Sequence, residues 1–344
     1  MSRTIVALGG LLALLATAFV LSLVLGSTSI PVREVVATLL RWPPERTAAS
    51  VVVTAIRLPR SVTAALAGAA LGVSGLQMQT LFRNPLADPF ALGVSSGASL
   101  GVALLVLGTG QGAAALFGET VGLAGDAALT AAAVAGASVV LGIVLVVSSR
   151  IENPTTVLVL GLMFGYASSA FVTVLLGATQ PERLQLWAAW QFGSFSGVTW
   201  PRLRLFAPIV ASGLTVAALS VKPLDALLLG ESYARSMGVA VRRLRLVTML
   251  GASVLGAVVT AFCGPISFLG IAVPHLCRGL LGTSDHRALV PAVVLMGAAV
   301  ALVAQTVSVL PGRAGLVPLN AVTSLIGAPV VVLVILRQRR GATA

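Results

Sequence analysis

The side chains able to do chemistry are few in these 344 residues: ten carboxylates, two histidines, two cysteines and, amid many arginines, the single lysine Lys222. Nucleotide hydrolysis of the P-loop kind needs a lysine in a G-x-x-x-x-G-K-[ST] loop, whose backbone amides wrap the phosphates. Lys222 is followed by Pro223 and stands in no such loop. Acyl transfer needs a nucleophile, a base and an orienting acid within reach of one another. His275 and His286 fall in different segments with no serine beside them in that pattern, so both read as solvated or helix-end histidines. Cys263 and Cys277 lie in apolar surroundings without a ligand cluster, which indicates neither a disulfide framework nor a metal centre. Ion-coupled carriers usually place carboxylates inside membrane helices as relays. Here every acidic residue falls in or next to a break in the apolar pattern, although broken helices can also hold ions through backbone carbonyls. The chain therefore reads as neither an enzyme nor a relay-driven carrier, and its energy must come from a partner.

The elements that position these residues are set by composition. A chain 57% hydrophobic and 9% charged, with a mean hydropathy of +1.03, lacks the polar surface of a soluble domain and reads as a polytopic, all-α membrane protein. The net charge of +12 would suggest nucleic acid in a soluble protein, but the arginines sit between apolar runs as topology signals, so no nucleic-acid partner is expected, only lipid. Apolar runs at residues 5–25, 61–82, 90–107, 127–147, 155–176, 205–221, 246–262, 266–281, 288–310 and 318–336 give about ten spans in one membrane domain, 1–344. The first run is too long for a typical signal h-region and reads as a retained helix. An even number of spans puts both termini on one side. Assigning that side to the cytoplasm gathers Arg3, Arg83, Arg150, the basic cluster of residues 222–245, Arg278, Arg287 and the arginines of the tail there. Arg33, Arg41, Arg46, Arg57, Arg60, Arg183, Arg202, Arg204 and Arg313 remain on the outer side, so the bias is modest and these arginines ask for a reason.

Two stretches stand out. Between the second and third spans, Arg83, Asn84, Pro85, Asp88 and Pro89 break the helical pattern, because proline lacks an amide proton and clashes with the preceding turn. Irregular backbone between membrane helices is tolerated where protein covers it or a water path runs along it. Residues 84–89 are thus either part of a gate or an ordinary turn. Gly93, Gly97 and Gly101 follow at spacing four, and Gly161 and Gly165 repeat the spacing later, each a face suited to close helix approach. Trp187, Trp190 and Trp200 suit a membrane interface. In residues 227–241, Gly230, Ala234 and Gly238 recur every four positions, predicting a shallow helical face with Tyr233 and Met237 beside it, and Glu231 and Arg235 favour a helix. Such a helix could lie in a cleft of another protein, or the segment could be a plain cytoplasmic loop.

The motifs RLPR, GAALGVSGLQMQ, NPLADP and ALGVSSGAS, in register over residues 57–99, together with GPISFLGIAVPHLCRGLLGTSDHRALVPA over 264–292 and IGAP over 326–329, resemble the FecCD family of ABC-importer permeases. The resemblance implies a type II ABC importer permease fold in a bacterial cytoplasmic membrane. It implies a second permease subunit, identical or a sibling, two ATPase subunits that hold the ATP and Mg, and an extracytoplasmic substrate-binding protein. No cofactor is then expected in this chain. By the same resemblance Asn84, Pro85 and Leu86 close the cytoplasmic end of the path, with Thr155 and Thr156 as a second, weaker match. Gly230, Glu231, Ala234 and Gly238, in the segment 222–245, would contact the ATPase. Arg57 and Arg60 would meet glutamates of the docking protein. The chain departs from the family where Gln305 and Val309 replace an expected Asp and Arg, and where Leu316 to Asn320 replaces Glu-Leu-Pro-Ile-Gly, leaving Arg313 as the substitute docking arginine. The implied cargo is a ferric siderophore, with haem or vitamin B12 as alternatives. An ion-coupled secondary transporter is the rival class.

Overall fold

Membrane-length apolar runs fold as helices because each backbone amide then finds its partner within its own segment. The computed structural model describes residues 2–26, 28–40, 47–107, 123–148, 150–151, 153–309 and 317–342, and among them there is no strand. Helix α1 is Ser2–Val24, α2 is the short Val32–Leu40, and α3 runs over Ala48–Phe82. There follow α4 (Val94–Val106), α5 (Leu123–Ser148), α6 (Pro154–Gly177), α7 (Pro181–Gln191), α8 (Trp200–Leu219), α9 (Val221–Leu228) and α10 (Glu231–Ser236). The last four are α11 (Val241–Cys263), α12 (Leu269–Leu281), α13 (His286–Ser308) and α14 (Leu319–Ala342). Seven of these are long and apolar enough to cross a membrane, and three shorter apolar helices, α4, α12 and the first part of α14, complete the expected ten.

Several boundaries differ from the expectation: α8 and α11 begin at Trp200 and Val241, five residues early, and two others bear on the site. Helix α3 begins at Ala48, not Ser61, because its polar first turns satisfy their own hydroxyls. Thr47 and Ser50 form a reciprocal capping box, and Thr54 Oγ donates to Ser50 O at 2.7 Å. A π-helical stretch, Val52–Arg57, then leads into Pro59, so the residue without an amide proton follows directly on a widened turn. Helix α4 starts at Val94 rather than Phe90, since Pro89–Leu92 forms a separate 3-10 turn.

Helix α3 is the axis of the bundle: 83% of its most apolar window is buried, against 11% for α1, which faces outward. Small residues allow this. A Cβ on Gly68 would stand 2.1 Å from Gly297 O in α13, and one on Gly75 would stand 1.8 Å from Gly270 O in α12. The expected glycine faces pack only in part as their spacing implies, because Gly93, at φ 76°, turns the corner before α4 and is not on its face. Gly97 and Gly101 lie against the backbone of Gly136 and Ala132 in α5, and Gly161 meets the carbonyl of Ala91. One end of the bundle gathers the C-terminus of α3, the N-termini of α6, α11 and α13, and the short α9 and α10. At the other lie the first turns of α3, the turn after α7 and the start of α14.

Candidate functional site

The break after α3 is built by local chemistry. Arg83 ends the helix in the left-handed region (φ 46°), and the Asn84 amide turns back to Gln79 O at 3.2 Å. The side-chain oxygen of Asn84 accepts from Leu86 N at 2.9 Å, and Ala87 N donates to Asn84 O, which closes a tight turn with Leu86 exposed at its tip. Asp88 caps the following 3-10 turn, accepting from Ala91 N at 2.8 Å. Burial pushes its carboxyl up to about 6, partly offset by the Ala91 and Phe90 amides. The Pro89 ring lies against Gly256 of α11 and Gly270 of α12, at places where a side chain would collide with it. His275 Nε2, on α12, is 2.8 Å from Pro85 O. A carbonyl can only accept, so Nε2 carries the proton and donates.

The segment expected to couple to a partner is not one helix with a shallow face. Gly230, at φ 119°, makes a corner that only glycine adopts easily, and it separates α9 from α10. Ala234 is fully buried against the bundle, and Gly238, at φ 81°, makes a second corner. The three small residues therefore bracket and seat α10 instead of lining a common groove. What faces outward is Tyr233, 51% exposed, and Met237, 59% exposed, with Leu228 and Leu229 before them. Glu231 bonds Arg245 of α11 at 2.8 Å and Arg235 at 3.3 Å. The first pair, with Arg245 largely buried, pins α10 to α11; the second is an exposed helix pair of small energetic weight.

Three side-chain bridges join this segment and the adjoining helix ends to the end of α3. Arg83 donates to Leu227 O at 3.3 Å. Asp225 of α9 accepts from the His286 amide at 2.9 Å and from its Nδ1 at 2.6 Å, while His286 Nε2 is 2.9 Å from Thr80 Oγ. With Nδ1–H committed to the carboxylate, Nε2 of the neutral imidazole is left as an acceptor for the Thr80 hydroxyl, for whose hydrogen Leu76 O competes. Arg278 donates to Gln79 Oε1 at 2.6 Å, and Gln79 Nε2 reaches the carbonyls of Gly270 and Ile271. The expectation that the histidines are solvated or merely terminal is corrected: His286 is 1% exposed, and both rings have specific partners. The only hint in the sequence was the crowding of His275, Arg278, Asp285, His286 and Arg287; nothing marked Thr80 or Asp225 as their partners.

An open groove of about 1020 Å³ lies between these parts, lined by Leu81, Phe82, Arg83, Thr155 and residues 229–233 and 236. Thr155, its amide bound by Asn153 Oδ1 at 2.9 Å, is thus brought to the hairpin and to Gly230 and Glu231. Thr156 is exposed and outside that lining. Among the described residues no group of three His, Cys, Asp or Glu side chains could hold a metal ion.

At the opposite end the expected docking arginines divide. Arg57 is 6% exposed and turned inward, donating to Leu23 O at 2.7 Å, Val24 O at 2.8 Å and Thr28 O. The last carbonyls of α1 have no helical partners and attract the cation, so Arg57 clamps α1 to α3 instead of offering its charge to a surface. Arg60 is half-buried and lines a separate cavity with Gln305. Arg313 lies outside the described residues.

Comparison with known proteins agrees with this architecture. The profile of the FecCD transport family matches residues 14–337. The vitamin B12 import system permease protein BtuC of Citrobacter koseri is 36% identical over 286 residues, 83% of each chain. An ABC transporter permease protein of Bacillus subtilis, YvrB, itself uncharacterised, is 34% identical over 289 residues, 83% of this chain and 79% of its own. A solved structure, described as an inward-facing conformation of a provisionally assigned metal-chelate type ABC transporter, superposes with a TM-score of 0.81 at 27% identity, covering 96% of this chain and 98% of the other. With a family profile matched over nearly its whole length and an all-helical bundle of the same architecture, the chain belongs to the FecCD transport family and is a permease subunit of an ABC importer.

Proposed function

We propose that the chain carries a metal chelate, a ferric siderophore, across a bacterial cytoplasmic membrane as half of a permease dimer, either with a second copy or with a sibling. The observation that carries the mechanism is the set of bridges from residues 225–227 to Arg83 and Thr80 and across α12 to Pro85. Two ATPase subunits, with their ATP and Mg, grip the outward face of α10 through Tyr233 and Met237, while Gly230, Glu231, Ala234 and Gly238 hold that helix in place. When the grip shifts, α9 pulls on Arg83 and, through Asp225 and His286, on the last turn of α3. Asn84, Pro85 and Leu86 then swing at the path's inner end, with Thr155 and Thr156 on the facing helix. Both termini face the cytoplasm on this reading, because that orientation follows the arginine excess. At the outer end Arg60, with Arg313, meets carboxylates of a substrate-binding protein, and Arg57 supports that surface from within.

A second reading of the cargo rests on the relatives named as vitamin B12 permeases. Growth of a deletion strain, complemented with this chain, on single sources of ferric siderophore, haem or cobalamin separates the two. Rescue by ferric siderophore is expected; rescue confined to cobalamin overturns the siderophore assignment and leaves the permease role standing. In the same strain Arg60→Glu should lower uptake at least tenfold with normal membrane insertion, and unchanged uptake would remove Arg60 from docking.

A further inference from the structure

A cavity of about 310 Å³ opens where the end of α5, the turn after it, α10 and the first turn of α11 come together. Four arginines line it: Arg150 from the turn, Arg235 from α10, and Arg242 and Arg245 from α11, with Ile151 and Leu246 as apolar wall. Glu231 bonds two of the four, Arg235 and Arg245. By sequence, residues 148–152, 231–235 and 241–246 hold five arginines against two glutamates, so a net charge of +3 remains even with both glutamates paired. Arginines that only set topology have no reason to converge, against their mutual repulsion, on one hollow from three elements. A hollow walled by guanidinium groups suits a phosphate, because their planar N–H edges pair with its oxygens. Helix α11 also starts here with no side chain capping its first amides, which adds to the attraction for an anion.

The surroundings say which phosphate. Helices α5 and α11 are of membrane length and pack side by side, so the cavity stands where two spans end. Along α5 from that end, Val146, Ile143 and Val139 are exposed at spacings of three and four, a single apolar stripe, and Arg150 stands four residues beyond Val146. A free phosphate gains nothing from such a stripe, whereas acyl chains cover it. We propose that this cavity seats the phosphate of an anionic phospholipid whose acyl chains lie along Val146, Ile143 and Val139. Through Arg235 the lipid ties α10 to the ends of α5 and α11. The inference is independent of the cargo.

The test uses the full-length permease purified with its ATPase in detergent and stripped of native lipid, and counts retained lipid by native mass spectrometry. Dioleoylphosphatidylglycerol should be held at least about tenfold more tightly than dioleoylphosphatidylcholine, which has the same chains and phosphate but a cationic choline that cancels the charge. Arg150→Gln with Arg242→Gln should weaken phosphatidylglycerol at least about tenfold. Arg33→Gln with Arg204→Gln, the same loss of charge at the opposite end, should leave it unchanged within roughly twofold. Arg150→Lys with Arg242→Lys keeps both charges and should keep the preference for phosphatidylglycerol. Thermal melts show which variants are folded, and if the double glutamine variant is not, Arg150→Gln alone, at an exposed position, takes its place with a loss of at least about threefold. Retention of phosphatidylglycerol unchanged in the folded variant overturns the site. Equal retention of the two lipids, with displacement by inorganic phosphate, assigns the cavity to a soluble anion and overturns the lipid. Loss of the ATPase from the variant with lipid retention unchanged assigns the arginines to that interface, and the proposal fails in that case too.

Discussion

At the scale of residues, the hydrogen-bonded line from Asp225 through His286 to Thr80 makes the sharpest demand. It joins α9, α13 and α3 through a buried ring whose Nδ1 gives its proton to the carboxylate and whose Nε2 meets the Thr80 hydroxyl. Asp225→Asn keeps the shape and removes the charge, which should cost about 1.5–3 kcal/mol of stability as a charge-assisted bond is lost. Solute moved per ATP hydrolysed should fall severalfold while hydrolysis continues, measured as coupled uptake and phosphate release in proteoliposomes. An unchanged ratio would show the line to be purely structural. Asp88 makes a second demand. Its folded pKa of about 6 stands above the ordinary 3.8, so the folded chain holds a proton that the unfolded chain has released. Stability contributed at this site is therefore fully present below pH ~4 and declines as pH rises to about 6. Asp88→Asn retains an acceptor for the Ala91 amide and cannot titrate. Relative to wild type it should gain up to roughly 2–3 kcal/mol between pH 4 and pH 7 in thermal melts, and parallel profiles would refute the shift.

At the scale of elements, helix approach is limited by backbone contact. Gly75→Ala places a Cβ 1.8 Å from Gly270 O, an atom that cannot turn aside, so a loss of roughly 3 kcal/mol or more is expected in detergent melts. Gly142→Ala meets nothing within 4 Å and should be neutral or slightly stabilising. Equal effects of the two would mean that α3 and α12 are not in contact as described. The glycine pairs at spacing four were legible in the sequence because helical periodicity alone puts them on one face. The same rule misled at Gly230, Ala234 and Gly238, where two of the three small residues adopt positive φ and break the helix that the spacing assumes. Spacing cannot distinguish a small residue that admits a neighbour from a glycine that turns a corner.

At the scale of the whole molecule, the seven membrane-length helices and three shorter apolar ones among the described residues were legible because apolar length is a strong, local signal. The site was legible only in part. Asn84, Pro85 and Leu86 announce a break in one stretch of chain, whereas Thr80, Asp225 and His286 meet across up to 206 positions and carry no local mark. Arg57 is instructive in the other direction: the sequence shows a charge at a helix start, and the fold spends it on the carbonyls of α1. The central claim is that this chain supplies no energy of its own and is moved at α10 by subunits that burn ATP. Reconstitution of the purified permease into liposomes, with and without its ATPase and binding protein, tests it most directly. Accumulation of radiolabelled ferric chelate should require the ATPase, ATP inside its reach and the binding protein together, and should vanish when ATP is withheld. Uphill accumulation by the permease alone, driven by an ion gradient, would contradict the account.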